Sequence, residues 1–144
     1  MSDSYDQTVT IPSDTSRAAE VQERIVSALE AHGYTPRDVF SMRLAIEEAL
    51  VNAIKHGNRR DLSKHVHIGW SVRPERVVVC VEDEGPGFRL EDVPDCTAEE
   101  NLDKPSGRGI LLMRRFLSAV EYNEKGNRVI LVKERGSEAS TVQN

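Results

Sequence analysis

The amino-acid sequence predicts an α+β fold, a two-layer sandwich of helices packed on a sheet. Three observations predict it. Two long segments have the apolar periodicity of amphipathic helices, two pairs of short strands are separated by turn-forming residues, and no internal repeat or second domain is visible. The 144 residues suffice for one domain that buries most of the surface of its unfolded chain. We therefore expect residues 1–144 to form a single domain.

The N-terminal part begins with a short strand and a helix. Residues 8–11 alternate between polar and apolar as a strand does, and the pattern stops at Pro12. Ser13 or Asp14 can cap the helix that follows, which we expect to end near residue 32, before Gly33. Its apolar face consists of Ala18, Val21, Ile25, Ala28 and Leu29.

The second helix has a strong start signal. Thr35 is a suitable N-cap, Pro36 occupies the first helical position, and the acid Asp38 lies three residues after the cap. Gly57 is a stop signal, so we expect the helix to run from residue 36 to about residue 56. Its broad apolar face consists of Met42, Ile46, Ala49, Leu50 and Ala53, and Leu44 and Val51 lie on nearly the opposite side.

A polar stripe of Glu48, Asn52 and His56 runs between these apolar groups, with one turn between successive members. A polar stripe is usually a solvated helix face, but apolar residues on both sides favour the lining of a cavity. Mg²⁺ needs few protein ligands where phosphates and water supply the rest, so the amide oxygen of Asn52 could bind it. Glu48 could accept a proton from an attacking hydroxyl or water. We expect His56 to orient a neighbour or to satisfy a local hydrogen bond.

Two hairpins account for the remaining strands. The first joins strands at 66–72 and 76–81 through Pro74-Glu75, and the second joins strands at 120–122 and 129–132 across 124–127. A helix at 109 to about 117 lies between the hairpins, and residues 136–144 have the composition of a disordered tail.

The segment 89–106 between the hairpins is polar and shows no periodicity. A loop of this length inside a compact domain is usually either a lid or a disordered insert. The segment lies between two glycine-rich motifs, which favours a lid over a ligand that both motifs bind.

The first glycine-rich motif is Asp83-Glu84-Gly85-Pro86-Gly87, directly after a predicted strand. Such a sequence is often only a turn. A buried carboxylate at Asp83 would accept hydrogen bonds only, so it could receive the exocyclic amine of adenine, whereas guanine presents an oxygen there. Gly85 and Gly87 would let the backbone approach a flat base closely.

The second glycine-rich motif is Gly107-Arg108-Gly109, at the start of a predicted helix. It is either a plain helix-start loop or a phosphate site, because free N–H groups and the helix dipole favour phosphate at such a position. Arg108 could pair with a phosphate or with an acidic surface. The motif is neither a P-loop nor a Rossmann fingerprint, since the residues that define those are absent.

Composition excludes several classes of protein. The net charge is −5, with 19 basic and 24 acidic residues and no evident clustered basic face, so we expect no direct nucleic-acid binding. No apolar run approaches the roughly 18 residues of a membrane span, and the polar N-terminus does not resemble a signal peptide. The two cysteines do not form a disulfide framework, so we expect a cytoplasmic protein with no membrane partner.

The three motifs, taken in order, resemble the N, G1 and G2 boxes of the GHKL ATPases. They are Glu48-x-x-x-Asn52, Asp83-x-Gly85-x-Gly87 and Gly107-x-Gly109. Each box alone is weakly specific, but the ordered set at these spacings is specific, and the resemblance extends from about residue 8 to residue 132. The ending Ser-Gly-x-Gly-hydrophobic at 106–110 is most similar to the bacterial anti-sigma factors and serine-protein kinases. The resemblance implies the GHKL (Bergerat) fold, with a mixed, mostly antiparallel sheet and helices on one face.

The resemblance also implies roles for individual residues. Glu48 would be the general base and Asn52 the ligand of Mg²⁺, while Asp83 would bind the adenine of ATP. The residues expected to contact the cofactor are therefore Asn52, Asp83, Gly85, Gly87, Gly107, Arg108 and Gly109. The implied partners are a sigma factor or another regulatory protein, and an antagonist of the STAS type that is phosphorylated on serine or threonine; a homodimer is compatible with the sequence.

The function favoured by the sequence is an ATP- and Mg²⁺-dependent serine/threonine-protein kinase that acts as an anti-sigma-type factor by partner switching. An alternative is a nucleotide-sensing binding module that sequesters its partner without significant kinase activity. A third is the detached catalytic subunit of another signalling relay. Glu48 favours the kinase over the pure binding module, because only phosphoryl transfer needs a base.

Overall fold

The structure is a computed structural model that describes residues 5–86 and 115–136. The predicted loop 89–106, most of the helix predicted at 109–117 and the tail from residue 137 lie outside these ranges, although Arg115 and Phe116 are helical. The described helices are α1 (Thr15–Ala31), α2 (Pro36–Val51) and a π-helix (Asn52–Gly57). The described strands are β1 (Gln7–Pro12), β2 (His65–Val72), β3 (Arg76–Glu82), β4 (Ala119–Tyr122) and β5 (Arg128–Glu134).

The five described strands form one sheet in the order β1-β2-β3-β5-β4. All pairings between them are antiparallel. Both predicted hairpins are present, β2–β3 and β4–β5, and β3 pairs with β5 between them. The predicted α+β fold is therefore confirmed, with bounds that differ from the prediction by one or two residues at most strand ends.

The core lies between one face of the sheet and the two helices. Alternate residues of the central strands point into it, as the two-residue period of a strand requires; they are Val66, Ile68, Trp70, Val72, Val77, Val79 and Val81. The helices contribute the predicted apolar faces, which are buried in the same cluster apart from the partly buried Ala28. Helices on one face of the sheet leave its strand ends free to carry functional groups.

Both helix starts follow the capping chemistry expected from the sequence. Asp14, rather than Ser13, is the N-cap of α1, and its Oδ1 accepts the backbone N–H of Ser16 at 2.9 Å. Thr35 caps α2, and its Oγ1 accepts the N–H of Asp38 at 3.1 Å. Ser13 instead donates its hydroxyl to the carbonyl of Lys64 at 2.9 Å, which ties the start of α1 to the chain before β2.

The second helix ends where it was predicted to end, but its last turn is a π-helix instead of an α-helix. The α-helical pattern stops at Val51, and Asn52–Gly57 form one turn of π-helix, in which the N–H of Asn58 donates to the carbonyl of Ala53 at 2.8 Å. A π-turn is wider than an α-turn, so the predicted stripe does not continue straight to His56, which is exposed. Single π-turns inside helices occur frequently at functional sites, and this one begins at Asn52.

Candidate functional site

The π-helix and the segment after β3 meet in a contact that only glycine permits. A Cβ on Gly57 would lie 2.3 Å from Oδ2 of Asp83, and a Cβ on Gly85 would lie 1.9 Å from the carbonyl oxygen of Gly57. Any larger residue at either position would displace its neighbour. Gly85 was predicted to let the backbone approach a flat base, whereas its close contact in the structure is with the backbone of Gly57, which was predicted only to stop the helix.

Asp83 is held at this contact by its backbone and its side chain. Its N–H donates to the carbonyl of Asn127 at 2.9 Å, and the side-chain amide of Asn127 donates to the carbonyl of Asp83 at 2.8 Å. Oδ1 of Asp83 accepts the N–H of Gly85 at 2.8 Å. The residue is buried, and this burial raises the pKa of its carboxyl above the ordinary value. The geometry fits an acceptor whose second oxygen can receive a ligand's N–H group.

Asn52 and Glu48 lie one helical turn apart at the start of the π-helix. Oδ1 of Asn52 is buried and accepts no hydrogen bond from the described residues. Glu48 is half-buried, and burial, together with the charge of Glu47, raises the pKa of its carboxyl, while the Asn52 amide acting as a donor partly offsets the rise. Buried hydrogen-bond acceptors usually have a donor. A buried amide oxygen without one is therefore typical of a site that binds a cation or a hydrogen-bond donor.

Asn58 joins the end of the π-helix to the segment that follows Asp83, and it was not predicted from the sequence. It is fully buried, at 0% exposure. Its amide donates to Oγ of Ser13 and to the carbonyl of His65, both at 3.0 Å, and its Oδ1 accepts the N–H of Glu84 at 2.8 Å. A buried asparagine with these partners fixes the segment after Asp83 against the end of the π-helix.

Glu84 is fixed in turn by two residues of β2. Its Oε1 accepts the N–H of His65 at 3.0 Å, and its Oε2 lies 2.9 Å from Nε2 of His67. The hydrogen bond with His67 is the largest cause of a lowered pKa of the Glu84 carboxyl. The pKa values of these two neighbouring carboxyls are therefore shifted in opposite directions. Glu84 is stabilised as an anion at the surface, whereas Asp83 is buried and harder to ionise.

The described part of the site can do two things chemically. Asp83 supplies a hydrogen-bond acceptor beside the close contact between Gly57 and Gly85. Asn52 supplies a hard oxygen, and Glu48, one turn of helix before it, supplies a carboxylate whose raised pKa suits proton transfer. Gly87, Gly107, Arg108 and Gly109, which were predicted to contact the cofactor, lie outside the described residues.

The described side chains and helices set two limits on the kind of site and of protein. Among residues 5–86 and 115–136, no group of three or more His, Cys, Asp or Glu side chains could hold a metal ion. A divalent cation at Asn52 would therefore depend on phosphate and water oxygens for its remaining ligands, which is typical of Mg²⁺ bound with a nucleotide. Within the same residues, no helix is long and apolar enough to cross a membrane.

The fold and the polar constellation together are typical of a nucleotide-binding α+β domain. Comparison with protein families agrees: residues 11–133 match the family described as the histidine kinase-like ATPase domain. The match covers most of the chain, so the protein belongs to this family. Membership of an ATPase-domain family implies that the bound nucleotide is ATP.

Several curated proteins are similar to most of the chain. "Serine-protein kinase RsbW" of Bacillus subtilis is 30% identical over 123 residues, which cover 78% of this chain and 77% of that protein. "Anti-sigma F factor" of Clostridium perfringens is 35% identical over 105 residues, which cover 69% and 74%. "Serine-protein kinase RsbW" of Bacillus velezensis is 26% identical over 145 aligned positions, which cover 93% and 91%.

Proposed function

We propose that this chain is an ATP- and Mg²⁺-dependent serine/threonine-protein kinase that acts as an anti-sigma-type regulatory factor by partner switching. With ATP bound, it would hold one regulatory protein and phosphorylate another. The names of its relatives, serine-protein kinase and anti-sigma factor, support both halves of the proposal. We also propose that residues 1–144 act as one catalytic domain, with residues 89–106 as its nucleotide lid.

The observation that carries the proposal is the pairing of Asn52 with Glu48. A module that only senses nucleotide needs an acceptor for the base and groups for the phosphates. It does not need a half-buried carboxylate of raised pKa one turn from a buried amide oxygen that accepts no hydrogen bond from residues 5–86 or 115–136. A carboxylate in this setting is suited to accept the proton of a serine hydroxyl as that hydroxyl attacks the terminal phosphate.

Each described residue then has a separate role. Asp83 accepts the exocyclic amine of adenine, and Gly57 and Gly85 let the backbone lie against the base. Asn52 is the protein ligand of Mg²⁺, which neutralises charge on the phosphates when it is bound. Glu48 positions the acceptor hydroxyl and takes its proton. Gly87, Gly107, Arg108 and Gly109 complete the nucleotide contacts in this proposal.

The proposed partners are those of a partner-switching regulator. One is a sigma factor or an equivalent regulatory protein, and the other is a STAS-type antagonist that carries the accepting serine or threonine. A pull-down with and without Mg·ATP, followed by phosphosite mapping on the recovered proteins, tests this directly. Recovery of a protein that is retained with nucleotide but never phosphorylated would favour the sequestering binding module instead.

The substitution Glu48→Gln tests the catalytic half of the proposal. It keeps the shape of the side chain and removes the base, so single-turnover transfer to the recovered partner should fall by about 10²–10⁴-fold. Nucleotide affinity should stay close to that of the wild type, because Asn52 and Asp83 are unchanged.

Asn52→Ala is the matched comparison for Glu48→Gln. It should lose Mg²⁺-dependent nucleotide affinity along with transfer, since it removes the proposed metal ligand. Transfer by Glu48→Gln at the wild-type rate would contradict the assignment of Glu48 as the base. Unchanged Mg²⁺ dependence in Asn52→Ala would contradict the metal assignment.

A further inference from the structure

The loop between the π-helix and β2, residues 58–64, and the end of the π-helix before it carry a concentration of positive charge. The segment 55–64 contains four cationic side chains and one carboxylate in a protein whose net charge is −5. The cations are Lys55, Arg59, Arg60 and Lys64, and the carboxylate is Asp61.

The arginines of this loop are available to a partner. Arg59 and Arg60 are exposed, and neither forms an ion pair with any residue that the structure describes. The single carboxylate of the loop is engaged locally, since Oδ1 of Asp61 accepts the hydroxyl of Ser63 at 2.7 Å and its N–H at 3.0 Å. Glu84, whose N–H donates to Asn58 at the start of the loop, is paired through its carboxylate with His67.

An apolar side chain lies in the middle of this charge. Leu62 is 66% exposed, more than any other large apolar side chain in the described ranges. A single exposed leucine is common on protein surfaces. Leu62, however, lies between Arg60 and Lys64 in the sequence, and apolar side chains next to charged ones are typical of protein–protein interfaces.

The loop is held in one conformation. Arg59 and Arg60 both have left-handed backbones, with φ of 54° and 59°, which residues with a side chain adopt only when their surroundings enforce it. The N–H of Arg60 donates to the carbonyl of Ile54 at 2.8 Å, and the N–H of Lys64 donates to the carbonyl of Asp61 at 2.9 Å. The buried Asn58 anchors the base of the loop. A surface fixed in this way loses little conformational entropy when it binds.

We propose that the loop 58–64 is a docking surface for an acidic segment of a partner protein, with carboxylates meeting Arg59 and Arg60 and an apolar side chain meeting Leu62. The inference deepens the proposed function, on which it rests only in taking the partner to be a protein. A protein segment fits better than nucleic acid, because a phosphate backbone offers Leu62 no apolar contact.

The surface also lies next to the nucleotide site. Asn58 joins the start of the loop to Glu84, which follows Asp83 directly. Lys64, at its end, lies close enough to lower the pKa of the Asp83 carboxyl, a smaller effect than the rise caused by burial. A partner held on this loop would thus be held beside the adenine-binding side of the site.

The test is fluorescence anisotropy of the full chain with a labelled peptide of Glu-Glu-Leu repeats, without nucleotide. We expect the peptide to bind and Arg59→Gln with Arg60→Gln to weaken that binding by at least about tenfold, which corresponds to about 1.4 kcal/mol. The variant Arg59→Lys, Arg60→Lys keeps both charges, so its affinity for the peptide should stay within about threefold of the wild type. The loss of the guanidinium forks accounts for the small decrease. Leu62→Ser should also weaken peptide binding.

The controls keep the result specific to the loop. Arg76→Gln removes an exposed arginine at the opposite end of β3 and should leave peptide affinity unchanged. A Gln-Gln-Leu peptide should bind much more weakly than the Glu-Glu-Leu peptide. Melting temperatures of the variants check that each still folds.

Three outcomes would overturn the proposal: no binding of the Glu-Glu-Leu peptide, equal binding by the Arg59→Gln, Arg60→Gln variant, or binding of a short DNA duplex as tight as that of the peptide. The last would assign the loop to nucleic acid. None of these readouts involves phosphoryl transfer, so a failure of the kinase proposal is seen separately.

Discussion

The buried polar groups at the two ends of the sheet differ in how completely they are paired by hydrogen bonds or ion pairs within the described residues. At the site end, after β3, an amide oxygen of Asn52 has no hydrogen bond within the described residues, and Glu48 and Asp83 are carboxyls whose pKa burial raises. Two glycines there allow contacts that any side chain would break. These features cost stability, so they are expected where function requires them.

The opposite end, where β5 finishes, pairs its polar groups. Lys133 and Asp38 are almost completely buried, with Nζ and Oδ1 3.8 Å apart, and Oδ2 of Asp38 accepts the N–H of Gly136 at 2.9 Å. Arg135 stacks on the ring of Tyr34 at 4.9 Å and donates to the carbonyls of His32, Gly33 and Pro74. We call the residues Tyr34, Asp38, Lys133 and Arg135 the anchor cluster.

We infer from this difference that the groups at one end stabilise the fold and that those at the other end await a ligand. The anchor cluster ties the last strand to the connection between α1 and α2 and satisfies its own charges. We propose that the site residues leave their polar groups for a nucleotide. Substitutions at the anchor cluster should therefore change the free energy of unfolding with little effect on nucleotide binding, and substitutions at the site should affect binding first.

The largest effect on stability is expected from Asp38→Ala. It removes the carboxylate that pairs with a Lys133 side chain only 1% exposed, and breaking a buried pair on one side typically costs about 3–5 kcal/mol. The melting temperature should fall by on the order of 10 °C. Calorimetric titration at a temperature where the variant is folded should give wild-type nucleotide affinity.

A double substitution is the control for this prediction. Asp38→Leu together with Lys133→Met removes both charges and fills a similar volume, so most of the stability should return. If Asp38→Ala left the melting temperature unchanged, or weakened nucleotide binding as strongly as a site substitution, the division between the two ends would be wrong.

A smaller and mixed effect is expected from Gly85→Ala. The new Cβ would meet the backbone carbonyl of Gly57, which cannot rotate away, so we expect a loss of about 1–3 kcal/mol of stability. The same displacement should weaken nucleotide binding, measured by titration, by at least about tenfold.

Gly136→Ala provides the matched comparison at the anchor end. Gly136 has a φ of +75° with open space around its Cβ position, so alanine there should cost about 1 kcal/mol of backbone strain and leave nucleotide affinity unaltered. Equal losses of affinity in the two alanine variants would argue against a local contact at Gly85.

The smallest effect is a gain in stability from Glu48→Gln. A carboxyl whose pKa is raised in the folded protein holds its proton there at pH values where the unfolded chain has released it. Stability therefore falls as pH rises from the ordinary glutamate value of 4.5 through the folded pKa, and the loss is complete above it. At neutral pH the variant lacks this penalty and should melt roughly 1–4 °C higher, because the group is only half-buried.

Thermal melts across pH check the sign. The advantage of Glu48→Gln should be present at pH 7, shrink as the pH is lowered through the folded pKa towards the ordinary glutamate value of 4.5, and be absent below it, where the wild-type carboxyl is protonated in both states. A variant that is less stable than the wild type at neutral pH would show that ionised Glu48 makes favourable contacts instead.

Local signals accounted for much of the fold. The caps Asp14 and Thr35, the proline after Thr35 and the two turn sequences act over a few residues, so the helix starts and both hairpins were predictable from sequence. Asp83 and Glu48 could be proposed as site residues from the sequence, because a carboxylate after a strand, and another one turn before an asparagine, form recognisable patterns.

What could not be predicted depends on contacts between distant parts of the chain. The π-turn at Asn52–Gly57 is held by Asn58, whose acceptor contact with Glu84 spans 26 positions. The roles of Gly57 against Asp83 and of Asn127 in fixing the Asp83 backbone are likewise visible only after β3, β5 and the π-helix are assembled. The basic loop was missed because its cations are spread over a helix end and a turn.

Calorimetric titration with Mg·ATP and Mg·GTP, on the wild type and on Asp83→Ala, tests most directly whether the end of the sheet around Asp83 is an adenine-nucleotide site. A buried acceptor paired with the adenine amine is worth about 1–3 kcal/mol. We predict that the wild type binds Mg·ATP at least about tenfold more tightly than Mg·GTP and that Asp83→Ala loses this preference together with affinity. Equal affinity of the wild type for the two nucleotides, or an Asp83→Ala variant that binds Mg·ATP as the wild type does, would contradict the account.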